Sequence, residues 1–357
     1  MTKDIHAFVK DAHELVGLGE ADHREPAFGQ ARNEIFAQLV DRGFRSIAFE
    51  SDRVAGLLVD DFVREGAGDL DTAMDDGFSH GFGAFDANRE LVTWMREYNE
   101  GRPPAERLAF HGIDAPWEFG APNPRRDLEC ARDYLGLDLD LAGLVGDEER
   151  WGSAEAVMDP AESPGDAPEA HRLRAIADDM LTALYARAPE LIAATSPAAW
   201  RRAKIHLASG LGLLRYHRQA AQRIEDADRW NRLSATRDSV MAQNLLDIRD
   251  LERRRGPTLV FGHNVHLQLN ASHMSMAGMD LAWFGTGAVV ASLLGERYSF
   301  IAGRLDSGDG GGEDPPRRRS AAWRLTAPGA SLERGALPPD SAALDGADAV
   351  LHVSPVA

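Results

Sequence analysis

The residues of this sequence best suited to acid–base chemistry fall in a few short stretches. Glu20 and His23 share the motif GEADH (Gly19 to His23). Glu50 closes an apolar run, Asp114 ends HGID (His111 to Asp114), and His263 and His266 sit in GHNVH (Gly262 to His266). Imidazole changes charge near neutral pH, and a carboxylate beside it orients the ring and stabilises its cation. Such a set suits general acid–base hydrolysis, and it also suits a divalent metal. Arg32, Arg89 and Arg237 add cations near three helix starts. Taken singly, each residue has a plainer explanation: a polar turn capping a helix, a structural ion pair, a satisfied core histidine. The argument for a site is that all of them fall at one edge of a predicted sheet.

That edge follows from the elements around them. Leu15 to Leu18 is a short apolar run of the kind a buried parallel strand shows. Gly17 and Gly19 permit a tight turn, and Pro26 suits the first turn of a helix. The helix carries Phe28, Ile35 and Leu39 on one face and stops at Gly43, and Arg45 to Phe49 makes a second apolar strand. In a right-handed βαβ unit the two strands are parallel and end at the same edge, where open α/β sheets bind ligands. Glu20, His23 and Glu50 are therefore expected to meet. A third strand, Arg107 to Ile113, brings Asp114 there, and a fourth, Thr258 to Phe261, brings His263 and His266. Arg32 falls on the apolar stripe of its helix. Arginine is seldom fully buried unless paired, so Arg32 and Arg237 are expected to pair with Glu20, Glu50 or Asp114, and Arg89 to lie near Asp114, Glu50 and His23.

The remaining chain is mostly helical by pattern. A short leading helix is expected over residues 4–12, a helix over 51–64, a Gly- and Asp-rich loop over 66–83, and a helix from Phe85 that the Pro103–Pro104 pair ends. Trp117 and Phe119 offer apolar surface near the same edge. Three helices over roughly 169–188, 197–226 and 230–255 precede the fourth strand, with Ser234 a candidate N-cap of the third. Residues 169–230 are expected to form a helical insertion that lids the site within one domain spanning 1–357. Later come Leu281 to Phe284, a helix around Ala288 to Leu294 and a strand Tyr298 to Ala302. A loop follows over 306–319, and then edge strands at Ala321 to Leu325 and Ala349 to Val353.

Composition narrows the function. The 357 residues, 44% hydrophobic and 27% charged, support a large soluble α/β globule. A formal charge of −18 argues against nucleic acid and anionic membrane surfaces as partners. Cys130 is the only cysteine, which excludes an intrachain disulfide and a zinc–thiolate site. The first residues lack the apolar core of a signal peptide and no run is long enough to span a bilayer, so a cytoplasmic location is expected. No Gly-x-Ser-x-Gly elbow is present, which disfavours a serine nucleophile.

In order along the chain, GEADH, AFGQAR (Ala27 to Arg32), FRSIAFE (Phe44 to Glu50), NRELVTWMREYN (Asn88 to Asn99), HGID, RDSVMAQNL (Arg237 to Leu245), GHNVH and GAVVASLLGERYSFIAG (Gly287 to Gly303) resemble the erythromycin esterase family, whose members include succinoglycan-biosynthesis-like proteins. The resemblance covers roughly residues 13–303. It implies a three-layer α/β/α core with a mainly parallel sheet and added helices, and hydrolysis of an ester or lactone, in some members the lactone of macrolide antibiotics, which confers antibiotic resistance. It also implies a metal- and cofactor-independent mechanism. By that resemblance His23 activates water, Glu20, Glu50 and His263 complete the catalytic set, and Arg32 is the motif arginine. Arg32, Arg89, Asp114, Arg237 and His266 are expected to bind substrate. The family usually has a glutamate where this chain has Ala27, and many members have glycine where it has Arg24; both departures bear on the substrate. Two alternatives stay open: a metal-dependent hydrolase built on the same cluster, and a non-catalytic protein that binds a small ligand.

Overall fold

The computed structural model describes residues 2–115, 117, 120–306, 322–327, 344 and 346–354. It divides into two compact units: Met1–Asp114 with Met241–Ala357, and Ala115–Val240.

The first unit is an α/β/α sandwich. Its strands are β1 (Leu15–Glu20), β2 (Ser46–Asp52), β3 (Ala109–Asp114), β4 (Thr258–His263), β5 (Ala271–Met276), β6 (Met279–Phe284), β7 (Tyr298–Leu305), β8 (Trp323–Thr326) and β9 (Ala349–Val353). Among the described residues, seven of them form one sheet in the order β3-β2-β4-β1-β7-β9-β8. Every neighbouring pair is parallel except β8 and β9. The strands are buried on both faces, and alternate residues serve opposite cores. Val16, Leu18, Ile47, Phe49, Leu259 and Phe261 face one core, with Phe28, Ile35 and Leu39 of α1 (Pro26–Asp41). Leu15, Ala48, Val260 and Phe300 face the other, with Met241, Leu245 and Ile248. Continuous apolar strands of this kind require helices on both sides. The first core also takes α2 (Gly56–Glu65), which follows α1 in packing on the sheet, and a further helix over Asp86–Asn99.

Several boundaries differ from the sequence reading, each for a local reason. Residues 4–12 hold only a 3-10 turn, Ile5–Ala7. Ser51 and Asp52 extend β2 instead of starting a helix, because the Asp52 carboxylate accepts from the amides of Val54 and Ala55 and so begins α2 later. The 66–83 loop contains a short helix, Leu70–Asp75, capped by Asp69. Ala349–Val353 is not an edge strand, since β8 pairs beyond it. Leu281–Phe284 is one arm of the separate β5–β6 hairpin. The 306–319 loop, apart from Asp306, lies outside the described residues, as does Phe119. Among the described residues no helix is long and apolar enough to cross a membrane.

The second unit is helical and holds the stretch expected as an insertion. Its long helices are Arg125–Leu135, Pro168–Ala186, Pro197–Ala220 and the first half of Asp226–Glu252. Ser234 lies inside the last of these and caps nothing. Leu128, Leu173, Leu207, Leu211 and Leu214 build one core of the unit. A buried carboxylate, Asp127, ties two helices together by accepting from His206 (2.9 Å) and from the Ser209 hydroxyl (2.5 Å).

His217 is fully buried in this unit, with its Nε2 3.1 Å from the Pro122 carbonyl oxygen and its ring edge-on to Trp151. Burial pushes its pKa down to about 4, against the help of the neighbouring carbonyls. The native state therefore holds this imidazole neutral while the unfolded chain protonates it near the ordinary value. Stability is complete above about pH 6.5 and is lost as pH falls toward about 4, by roughly 3 kcal/mol in all. Denaturant unfolding at pH 7 and pH 4 should show the wild type losing about that much more than His217→Gln. Equal acid sensitivity of the two proteins would contradict the assignment.

Candidate functional site

The sheet's C-terminal edge in the first unit gathers Glu20, His23, Glu50, His263 and His266. Glu20 is the last residue of β1, and His263 pairs with it across the ladder as the last residue of β4. Close backbone approach is needed for this. A Cβ at Gly19 would lie 2.1 Å from Asn264 Oδ1, and that side chain bonds Gly303 through both of its polar atoms (2.7 and 2.9 Å). One turn beyond β1, Glu25 caps α1 by accepting from the Ala27 amide. It serves the helix rather than the pocket.

His23 is the centre of the group. Its Nδ1 is 2.6 Å from Glu20 Oε1, and its Nε2 is 3.8 Å from Glu50 Oε1. The ring lies against Phe82 (5.1 Å between centroids) and His263 (5.2 Å). Glu20 and Glu50 are buried, while the His23 side chain is about one-third exposed, 32%. With Glu20 accepting from Nδ1–H, the neutral ring carries its lone pair on Nε2, on the side of Glu50. Burial opposes the imidazolium most strongly. The Glu20 hydrogen bond and the charges of Glu50 and Glu20 together outweigh burial and raise the His23 pKa. Burial also raises the pKa of Glu20, in spite of the hydrogen bond to His23.

Glu50 is held from the next strand. Its Oε2 accepts from the His263 amide at 2.6 Å, and its Oε1 lies 3.4 Å from His266 Nε2. Gly262 leaves the space, since a Cβ there would stand 2.8 Å from Glu50 Oε2. His263 itself is spoken for by the backbone. Its Nδ1 accepts from the Val265 amide (3.1 Å) and its Nε2 donates to the Ala21 carbonyl (3.1 Å). Burial lowers its pKa, and the ring acts as a neutral clamp between the ends of β4 and β1.

The other expected residues have partners of their own. Arg32 is 1% exposed and does not line the pocket. It was expected to pair with Glu20, Glu50 or Asp114. Instead it donates to Asn33 Oδ1 (2.7 and 3.1 Å), Asn88 Oδ1 (2.7 Å) and the Ala87 carbonyl (3.1 Å). Its guanidinium sits over Phe49 and Phe261, at 5.1 and 4.8 Å from the ring centroids. Neutral acceptors and aromatic faces thus replace a carboxylate partner. Arg89 pairs with exposed Asp71 at 2.9 Å, because the short helix at Leu70–Asp75 offers it a nearer carboxylate than the pocket does. Asp114 is buried at the end of β3 with His80 Nε2 3.6 Å from its Oδ2. Arg237 lies half-buried on the Asp226–Glu252 helix of the second unit. Asn244, on the same helix, donates to the Ile113 carbonyl.

Two neighbours were missed. His80 has a left-handed backbone (φ 59°), accepts or donates at Ser79 Oγ (2.6 Å) and stacks on Phe82. Phe82 itself walls His23. Both stand in the Gly- and Asp-rich loop, where no periodic pattern marks them. Ser79 fixes the loop to β2 through the Asp52 amide and Ser51, a tertiary contact with no signal in the sequence. Among the described residues no three His, Cys, Asp or Glu side chains are disposed to hold a metal ion.

A protein-family model described as "Erythromycin esterase" matches residues 39–324. The match opens within α1, so Glu50, Asp114, His263 and His266 lie inside it, and Glu20, His23 and Arg32 precede it. Three solved structures share the fold. A mutant of the erythromycin esterase EreC in its open conformation matches with a TM-score of 0.59 at 19% identity, over 97% of this chain and 77% of that one. A protein from Bacillus cereus gives 0.63 at 17%, over 98% and 91%. A succinoglycan biosynthesis protein gives 0.63 at 15%, over 97% and 89%. No curated protein sequence matched the chain.

The glycine next to His263 provides a direct check on how Glu50 is held. Gly262→Ala should turn the Glu50 carboxylate away from the His263 amide. Loss of that charge-assisted hydrogen bond should cost about 1.5–3 kcal/mol in denaturant unfolding. A crystal structure of the variant with Glu50 unmoved, and wild-type stability, would contradict this.

Proposed function

The chain belongs to the erythromycin esterase family, and from that premise we propose that it hydrolyses a carboxylic ester or lactone of a small molecule with His23 as the general base. Family membership supports a hydrolase of ester substrates. The observation that carries the mechanism is the 2.6 Å bond between His23 Nδ1 and Glu20, which leaves Nε2 as the basic nitrogen. The 3.8 Å between Nε2 and Glu50 Oε1 suits one water shared by the two. As that water attacks the carbonyl carbon, its proton passes to Nε2 and Glu20 stabilises the imidazolium. Collapse of the tetrahedral adduct breaks the carbon–oxygen bond to the alcohol, and the imidazolium returns its proton to the leaving oxygen. The products are a carboxylic acid and an alcohol, joined in one molecule if the substrate is a lactone such as a macrolide ring. No step needs a metal ion. Arg24 is exposed on the turn that carries His23, and there it would meet the substrate.

His23→Ala should lower kcat by about 10²–10⁴-fold on any ester the wild type cleaves. Exhaustive chelation should leave wild-type activity intact; loss to chelator with recovery on adding a divalent ion would overturn the metal-free scheme. The base must be neutral to work, and its pKa is raised. Activity should therefore be full above that raised value and fall as pH drops through it. The acid limb of kcat/KM should then stand above the ordinary imidazole value, and a limb below that value would count against His23 as the base.

A further inference from the structure

His80 sits in a backbone conformation that side chains avoid. It is left-handed (φ 59°), as is Gly81 after it (φ 71°), and the two reverse the chain between the Leu70–Asp75 helix and Phe82. Glycine and asparagine take this conformation readily, and another residue keeps it only where surrounding contacts over-determine it. Those contacts are present. Phe78 is buried against the rings of Phe49 and Phe110, at 5.7 and 5.2 Å between centroids. Ser79 Oγ accepts from the Asp52 amide at 2.8 Å. From this anchor the His80 side chain, 14% exposed, places Nε2 3.6 Å from Asp114 Oδ2 and Nδ1 2.6 Å from Ser79 Oγ. With Nε2–H turned to the carboxylate, Nδ1 accepts from the Ser79 hydroxyl. The ring then stacks on Phe82, with centroids 5.5 Å apart and planes within 27°.

We propose that His80 is a positioning residue of the hydrolytic site: braced by Ser79 and Asp114, it holds Phe82 against the His23 ring and so fixes where Nε2 points. The inference rests on the hydrolytic reading for its catalytic consequence and on ring contacts for its structural one. His23 needs such a wall. It stands on the turn beyond β1, and its side chain is about one-third exposed, 32%. The bond from Nδ1 to Glu20 fixes one corner of the imidazole. A swing about that corner would carry Nε2 away from Glu50 Oε1, which lies 3.8 Å off. Phe82, at 5.1 Å between centroids, and His263, at 5.2 Å, stand in the way of that swing. Phe82 must itself be held. Phe49 meets it edge-on and Phe85 is exposed, so the stacked His80 ring is the contact that secures its face. Displacing a catalytic group by about 1 Å can cost ~10²-fold in rate.

The test is a double-mutant cycle between His80 and Phe82, read first by NMR on the free protein above the His23 midpoint. The His23 ring C–H signals, assigned by their absence in His23→Ala, carry the ring-current shift of Phe82, and Phe82→Leu removes that shift. His80→Asn, which suits the left-handed backbone but has no ring to stack, should move the same signals in the same direction. Added to Phe82→Leu, it should move them no further. Should His80→Asn fail to fold, His80→Gly takes its place. Signals unmoved by the His80 variant, or moved as much when Phe82 is already replaced, would overturn the proposal. On any ester that the wild type cleaves, His80→Asn should lower kcat and kcat/KM together, by roughly 10–100-fold, with KM nearly unchanged. Here too it should add nothing to Phe82→Leu. A loss confined to KM, or losses that multiply in the double variant, would count against positioning through Phe82. The NMR measurement needs no substrate. Undiminished ester hydrolysis by His23→Ala would overturn the hydrolytic reading and leave the ring contacts standing.

Discussion

The hydrogen bond between His23 and Glu20 is the interaction on which the rest of the site depends. Glu20 ends a central strand and is almost fully enclosed, so its charge must be met by donors within reach. The imidazole three residues later is the donor that the GEADH turn brings to it. Desolvation acts against both partners as ions, and the bond plus the nearby charges offset it for His23. The compromise fixes which ring nitrogen carries the proton, and with it which nitrogen can accept one.

The surrounding structure serves that pair. Parallel strands must all point their C-terminal ends the same way, so β1, β2 and β4 deliver Glu20, Glu50 and His263 to one edge. Glycine at 19 and 262 lets the strand ends approach more closely than any side chain would permit. His263 gives both ring nitrogens to the backbone and so locks the end of β4 against the turn that carries His23. Phe82 closes the far side of the imidazole. Each of these contacts restricts His23 without bonding its Nε2.

Much of this was legible in the sequence, and the legible parts share a cause. Short apolar runs ending in polar residues marked four of the sheet's strands, and the handedness of βαβ units then placed Glu20, Glu50, Asp114 and His263 at one edge. Side-chain partners were not legible in the same way. The helical stripe showed that Arg32 is buried, but its acceptors come from Asn33 beside it and from Ala87 and Asn88 more than 50 residues away, and no periodicity announces neutral oxygens in place of a carboxylate. Arg89 was misplaced because a six-residue helix in a Gly-rich loop put Asp71 within its reach. His80 escaped notice in that same loop, where its left-handed backbone depends on tertiary contacts through Ser79. His263 carried a catalytic expectation from its motif, yet its ring is consumed by backbone hydrogen bonds that only the folded strand ends create.

The claim at the centre of this account concerns one proton on one ring. Nitrogen-15 NMR of histidine-labelled protein, at a pH above the His23 midpoint, distinguishes a protonated from a bare ring nitrogen by chemical shift. The account predicts the Nδ1–H tautomer for His23, with Nε2 bare, and a reversal or mixture of the two forms in Glu20→Gln. A wild-type spectrum with the proton on Nε2 would contradict it, because the nitrogen facing the pocket would then have no lone pair with which to take a proton from water.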